Sequence, residues 1–432
     1  MATTSTLKKL DHRYLWHPFT PMTEWCAEDP LIIERAEGNY LIDTDGKRYL
    51  DGISSLWVNV HGHHRPEIDQ AVHDQLDKVA HTTFLGLTHP PAIELAKRLI
   101  EIAPQGLARV FFSDNGSTAV EVALKMAFQY WQQRGKPRKQ KFLSLQEAYH
   151  GDTVGSVSVG GIEIFHQIFH PLLFSTLKAD ISSIENLVQQ IKDHADELAA
   201  VVVEPLVQGA AGMLVMPKGF LKATENACRE NKVLLIVDEV ATGFGRTGKM
   251  FACEQEQIQP DLMAIAKGIT GGYLPLAATL ATEEIYSAFL GQPEEFKTFF
   301  HGHSYTANPL ACAAALASLD VFKKEKVLEK LPAKMAYLQK SLEHFWNLEH
   351  VGDIRQKGMM AGIELVRDKN TRQPYEYKER IGHRVCMKVR SKGVILRPLG
   401  NVVVLMPPLS ITLEEIDLLL NATYEAIEEI TC

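Results

Sequence analysis

Two reactive side chains stand at the ends of two short apolar runs. Val233 to Val237 runs into Asp238 and Glu239, and Leu262 to Ala266 runs into Lys267. Each run is continuous and short, and reads as a strand buried on both faces. In an open α/β sheet, ligands gather just beyond the carboxyl ends of the strands. An acid and an amine at adjoining strand ends suit pyridoxal 5′-phosphate (PLP). The amine forms a Schiff base with the cofactor, and the acid keeps its pyridine nitrogen protonated so that the ring accepts electrons. Taken singly, Asp238 would cap the next element and Lys267 would be a solvated surface lysine. Their pairing, with the Gly-rich GFGRTG between them, favours the cofactor.

Four more stretches carry chemistry. Val110-Phe111-Phe112 reads as a strand, residues 113–118 (SDNGST) as a polar turn, and Ala119 to Trp131 as an amphipathic helix. A strand, a Gly/Ser/Thr turn and a helix start make an anion site, because free N–H groups and the helix dipole face the ligand. An ordinary Ser/Thr N-cap reads equally well from this stretch alone; beside a Schiff-base lysine, phosphate is favoured. Tyr149 follows the strand 141–145 and either stacks on a flat ring or packs in the core. Glu204 ends the strand Ala199–Val203 and either orders the cofactor's surroundings or takes a core partner. Arg397 ends the run 393–397, where it either clamps a substrate carboxylate bidentately or joins a salt bridge. His61, His63 and His64 invite a metal, but their spacing is not a helical pair and no Cys or carboxylate cluster completes a site. The expectation is no metal.

The elements that position these groups follow from pattern. Residues 39–51 hold two apolar-rich runs around Asp45-Gly46, a hairpin signal. Helical spacing marks 66–80, with Ile68, Val72, Leu76 and Val79 on one stripe, and 91–102. Further helices are expected at 185–198, 219–231, 310–322, 334–349, 379–392 and 413–430. Strands and helices alternate over about 110–280, which implies parallel βαβ units in one large α/β domain. Past the charged run 323–326, strands at 358–366, 393–397 and 402–406 suggest a separate α+β unit. Residues 1–37 read as an arm with several aromatics and no clear period. The division expected is 1–60 as arm and part of a small domain, 61–325 as the large cofactor domain, and 326–432 as the rest of the small one.

The chain has 432 residues and a formal net charge of −8, which argues against nucleic acid or an anionic membrane as main partner. No run of 18 apolar residues predicts a transmembrane helix. The first residues lack the apolar core of a secretory signal. Six cysteines without a CxxC pair fit reduced thiols in the cytoplasm.

DEVATGFGRTGKMFACE followed by Lys267 resembles the class III aminotransferases, PLP enzymes of fold type I. The resemblance runs from Trp16 to the last helix. WHPFT (16–20), SDNGSTAVEVALKMAFQYW (113–131), YHGD (149–152), EPLVQGAAGM (204–213), Ala241, HGHSYTANPLACA (301–313) and RPLG (397–400) are similar to the branch that makes diaminopelargonate for biotin. The resemblance implies a large domain with a mainly parallel seven-stranded sheet, a smaller α+β domain, and amino transfer onto 8-amino-7-oxononanoate. It implies Lys267 as Schiff-base residue and proton shuttle, Asp238 at the pyridinium and Tyr149 on the ring. It implies Gly116 and Ser117 at the phosphate, with Glu204 beside the cofactor. It further implies a homodimer in which the stretch with Gly302 and Ser304 reaches the other subunit's phosphate. Phe19, Leu56, Gly302 and Arg397 are the substrate positions it implies.

The best-known members of that branch use S-adenosylmethionine as amino donor. They carry tyrosine where this chain has Phe19 and Val404, tryptophan at Leu56 and threonine at Ser304. Relatives that use lysine are similar to this chain at Phe19, at 61–63 and at 301–305. The resemblance therefore implies S-adenosylmethionine or lysine as donor. Another class III aminotransferase, acting on an ω-amino acid with pyruvate or 2-oxoglutarate, is the nearest alternative. A nucleotide-binding protein is a poorer one, because 113–118 lacks the lysine of a phosphate loop. A silent PLP-fold binder is poorer still with Asp238 and Lys267 both present.

Overall fold

The computed structural model of the chain describes residues 3–431. Its central sheet has seven strands: β1 (Leu107–Ser113), β2 (Lys141–Leu145), β3 (Leu177–Ala179), β4 (Leu198–Val203), β5 (Leu234–Asp238), β6 (Leu262–Ile265) and β7 (Ala277–Thr282). Their order across the sheet is β1-β7-β6-β5-β4-β2-β3. All neighbours are parallel except around β7, which runs antiparallel to both β6 and β1. Every residue of β4, β5 and β6 is buried. Helices cover both faces, so these strands are apolar throughout instead of alternating. Helix α1 (Gly116–Gln133) lies across β6 and β7. Helix α2 (Pro309–Lys324) packs on the helices Pro66–Leu76 and Pro90–Ile102. In the β5–β6 register Asp238 stands opposite Ala264, so the two strands end nearly level and Lys267 begins the turn just beyond.

A second sheet is antiparallel, formed by Val351–Lys357, Met360–Asp368, Val402–Leu405 and Arg397–Leu399. The strands Ile33–Glu37, Tyr40–Asp43 and Arg48–Asp51 form a meander, and Val394–Ile395 joins it alongside Arg48–Asp51. The expected hairpin around Asp45-Gly46 is present. Gly46 takes φ +83°, which a side chain would strain, and Asp43 Oδ1 accepts the N–H groups of Asp45 and Lys47.

The pattern misread several places: the helix expected at 185–198 ends at Asp193, and the run 393–397 divides into Val394–Ile395 in one sheet and Arg397–Leu399 in another, so Arg397 begins a strand and does not end one. The expected arm, which showed no period, contains helices Thr4–Tyr14 and Met22–Ala27 and the strand Ile33–Glu37. Neither helix has a buried residue, so neither needs an apolar stripe that a sequence would show. The helix expected at 66–80 ends at Leu76. The helix expected at 334–349 begins seven residues earlier, as Val327–Leu342, and runs through Pro332 at the loss of one backbone hydrogen bond. Among the described residues no helix is long and apolar enough to cross a membrane.

Candidate active site

The carboxyl ends of β5 and β6 open into a cavity of about 690 Å³ lined by Asp238, Lys267, Tyr149, Glu204, Gly116 and Ser117, among others. Asp238 is buried, and its Oδ1 accepts the Val240 N–H at 3.0 Å. Its Oδ2 lies 2.7 Å from Nδ1 of His150, whose Nε2 has no hydrogen-bond partner among the described residues. With a carboxylate as acceptor, Nδ1 carries the proton and donates it. Lys267 has φ +46°. Burial lowers the pKa of its amine, against the opposing charges of Asp238 and Glu204. A lowered pKa leaves more of the amine neutral and nucleophilic near pH 7. Its Nζ sits 4.9 Å from the centre of the Trp57 ring.

Glu204 follows the end of β4. Its Oε1 accepts the Tyr149 N–H at 3.1 Å and its Oε2 the Gly209 N–H at 3.0 Å, so it ties two loops of the cavity wall together. Burial pushes its carboxyl up to about 7, and the nearby Asp238 charge adds to this. Tyr149 Oη donates to Asp152 Oδ2 at 2.8 Å. Burial raises the phenol's pKa, so it stays a neutral donor.

The anion end is built from α1. Asn115 caps the helix by accepting the Thr118 N–H, and the Thr118 hydroxyl accepts the Asn115 N–H in return. Gly116 and Ser117 line the same cavity, and among the described residues no acceptor is recorded for their N–H groups, as expected in the first turn of a helix. A Cβ on Gly116 would sit 2.5 Å from Val240 Cγ1, so only glycine lets the helix start approach β5 this closely. Gly151, at φ +119°, would place a Cβ 2.4 Å from Ser117 Oγ. Ser117 Oγ is bonded to Thr153 Oγ1 at 2.7 Å. Free helix N–H groups for a phosphate, a buried carboxylate for a ring nitrogen and a lysine between them form a donor set that fits PLP.

A second cavity, of about 570 Å³, shares Ala210 with the first and holds Arg397 and Phe19. The Arg397 side chain has no hydrogen bond or ion pair among the described residues; its guanidinium lies 5.6 Å from the centre of the Phe19 ring. Phe19 meets Phe165 edge-on at 5.7 Å, and Phe165 in turn meets Tyr149 at 6.4 Å. Glu24 and Glu28 tie this arm to Arg380 and His383.

Four expected positions lie elsewhere. Gly302 and Ser304 are exposed and line neither cavity. Leu56 is 46% exposed and also lines neither, although its neighbour Trp57 does. Val404 is 1% exposed, enclosed in its sheet opposite Arg397 and Gly362, so it is a core residue and not a pocket wall. The histidines of 61–64 diverge: His61 faces Ser318, His63 faces Asp51 and His64 faces Asp69. Two side chains at the centre carried no assigned role in the sequence. His150 belongs to the YHGD run, and its position one residue past Tyr149 was the available signal. Trp57 gave no signal, because the backbone that delivers it has no sequence pattern.

A lysine and an acid just beyond the ends of parallel strands, beside a helix N-terminus, suit a PLP-dependent enzyme of the α/β type. The chain belongs to the family described as Aminotransferase class-III, whose model matches residues 23–427. It is 54% identical to the adenosylmethionine-8-amino-7-oxononanoate aminotransferase of Geobacter sulfurreducens, over 99% of this chain and 98% of that one. The enzyme of the same name from Aquifex aeolicus is 52% identical over 98% of each. The crystal structure of that aminotransferase from Methanocaldococcus jannaschii superposes with a TM-score of 0.98, at 50% identity and full coverage of both chains. A PLP-bound amine transaminase from an uncultivated Pseudomonas superposes with a TM-score of 0.90 at 38% identity, covering 96% of this chain and 99% of that one.

Proposed function

We propose that the protein transfers an amino group from S-adenosylmethionine or lysine to 8-amino-7-oxononanoate, giving 7,8-diaminononanoate for biotin synthesis. The observation that carries this reading is one continuous arrangement. Lys267 and Asp238 stand in one cavity, and an arginine without an anionic partner stands in the next, joined to it at Ala210. Relatives at 52–54% identity are named adenosylmethionine-8-amino-7-oxononanoate aminotransferase, which supports the acceptor and the first of the two donors.

Bound PLP supplies an electrophilic carbon for amines and a sink for electrons at Cα. Gly116 and Ser117 would hold its phosphate, Asp238 its ring nitrogen and Tyr149 its face. Lys267 Nζ takes the Cα proton of the donor and returns a proton when the acceptor is aminated. Its lowered pKa favours the neutral base that this shuttle needs. Arg397 binds the carboxylate of the acceptor and sets its oxo group toward Lys267. Phe19 and Phe165 shield that end from water. Glu204 holds the Tyr149 backbone in register.

The working form proposed is a homodimer in the cytoplasm. Phe296, Phe300 and Tyr305 are 77%, 74% and 62% exposed on the stretch that carries Gly302 and Ser304. Such an aromatic surface suits a second copy, and Gly302 and Ser304 would serve that copy's phosphate site.

The test is amination of 8-amino-7-oxononanoate by the purified holoenzyme, with each donor offered separately and the product read by mass. Formation of 7,8-diaminononanoate with either donor is expected. Turnover only of ω-amino acids with pyruvate or 2-oxoglutarate would replace this reading with the wider amine transaminase one. A Lys267→Ala variant that still transaminates would remove the site assignment altogether.

A further inference from the structure

Ser54, Ser55, Leu56 and Trp57 have φ of 51°, 47°, 74° and 69° in succession. They form a left-handed turn, in which Trp57 N–H donates to Ile53 O at 2.8 Å and Val58 N–H to Ser54 O at 3.0 Å. No residue of the turn is glycine. Side chains clash with the backbone in this region, so four consecutive residues stay there only when their surroundings hold them.

The hold is visible. Asp51 is fully buried; its Oδ1 accepts the Ser55 N–H at 2.8 Å and its Oδ2 the Ser55 hydroxyl at 2.7 Å. His63 Nε2 lies 3.0 Å from the same Oδ2. Ser54 Oγ donates to Met406 O at 2.6 Å. What the turn delivers is Trp57, buried against Gly209, where an added Cβ would meet Trp57 Cζ3 at 3.3 Å and Glu204 Oε2 at 3.8 Å. The Trp57 ring lies under Lys267 Nζ at 4.9 Å. The buried ring closes one side of the amine and limits where it can swing.

We infer that Asp51 is a positioning residue: it holds the left-handed turn that sets Trp57 beneath Lys267 and so fixes the lysine for proton transfer. This rests on the proposed role of Lys267. Asp51 touches neither cavity, so its effect falls on the chemical step and not on substrate capture.

The test uses holoenzyme variants. Asp51→Ala removes the hold, and Asp51→Ala with Ser55→Gly supplies a residue that keeps positive φ unaided. Asp51→Ala should lower kcat about ten-fold with KM for the acceptor unchanged, as misplacement of a catalytic group does. Hydrogen exchange of the 54–58 amides should quicken in Asp51→Ala and return toward the parent rate in the double variant, together with kcat. Wild-type kcat in Asp51→Ala, or a loss that Ser55→Gly leaves in place, overturns the inference. Should Asp51→Ala fail to fold, Ser54→Ala takes its place with the same two readouts: lower kcat with faster turn exchange supports it, and unchanged kcat overturns it. The exchange of the turn does not depend on Lys267 chemistry, so failure here is distinct from activity surviving in Lys267→Ala.

Discussion

His150 Nδ1 lies 2.7 Å from Asp238 Oδ2, and both side chains are buried. The remaining Asp238 oxygen is held by the Val240 N–H, so the carboxylate is fixed from two sides and cannot rotate freely. A buried carboxylate stripped of a donor bears the full desolvation penalty, about 1–3 kcal/mol. His150→Ala should therefore weaken PLP retention and lower kcat by roughly ten-fold or more, at that penalty per lost bond. His150→Asn keeps a donor near the Nδ1 position and should recover part of both. Cofactor dissociation constants and kcat for the three proteins check this. Equal values for His150→Ala and the parent would show that the pair has no part in holding the cofactor.

Arg397 stands in its cavity with Phe19 as its one contact of this kind among the described residues, and burial lowers its pKa without discharging it. Such a guanidinium is poised for an anion. Arg397→Met should raise KM for 8-amino-7-oxononanoate by roughly 30-fold, equivalent to about 2 kcal/mol for a charge-assisted pair. The kcat at saturating acceptor should fall much less. Initial-rate kinetics over a range of acceptor concentration separate the two parameters.

The strand pattern carried most of the fold. Continuous runs such as Leu234–Asp238 and Leu262–Ile265 are apolar because helices cover both faces, and their ends locate Asp238 and Lys267 without further information. The turn before α1 was legible for the same reason, since Gly116 and Ser117 sit at a helix start that follows a strand. Three features were not legible. The helix Thr4–Tyr14 buries nothing and so leaves no periodic trace. The Ser54–Trp57 turn is imposed by Asp51 and Met406, the second of them about 350 positions away, and not by local propensity. Val404 is a position at which the chain differs from the S-adenosylmethionine users, yet its strand is enclosed on both sides.

The donor depends on what surrounds the second cavity. Phe19 lines it, and Leu56 is exposed beside Trp57, so both positions can change size without disturbing the core. Phe19→Tyr adds a hydroxyl to the second cavity, and Leu56→Trp adds an aromatic face outside both cavities, beside Trp57, for the part of an adenine-bearing sulfonium that reaches out of the site. The pair should raise kcat/KM with S-adenosylmethionine several-fold and leave lysine use unchanged or lower, by roughly the 1 kcal/mol of one aromatic contact. Val404→Tyr, by contrast, forces a ring into a closed strand and should cost about 1–3 kcal/mol of stability. Donor half-reactions followed by PLP absorbance, with a thermal melt for each variant, separate these effects.

Glu239 gives the fold a dependence on pH. Its carboxyl is fully buried, with Oε1 accepting the Cys253 N–H at 2.8 Å and Oε2 at 2.6 Å from Thr242 Oγ1. Burial pushes its pKa up to about 7, against the hydrogen bonds, which pull it down. In the unfolded chain the same carboxyl ionises near its ordinary value, about 4.3. Between those two values the folded protein binds the extra proton, so stability is full below about 4.3 and falls as pH rises through about 7. The loss is at most about 4 kcal/mol for a shift of this size. Glu239→Gln keeps an acceptor for Cys253 and a donor for Thr242 but has no proton to lose. The variant should match the parent in Tm near pH 4 and exceed it near pH 8. Parallel Tm-against-pH curves for the two proteins would refute this charge-burial account of Glu239.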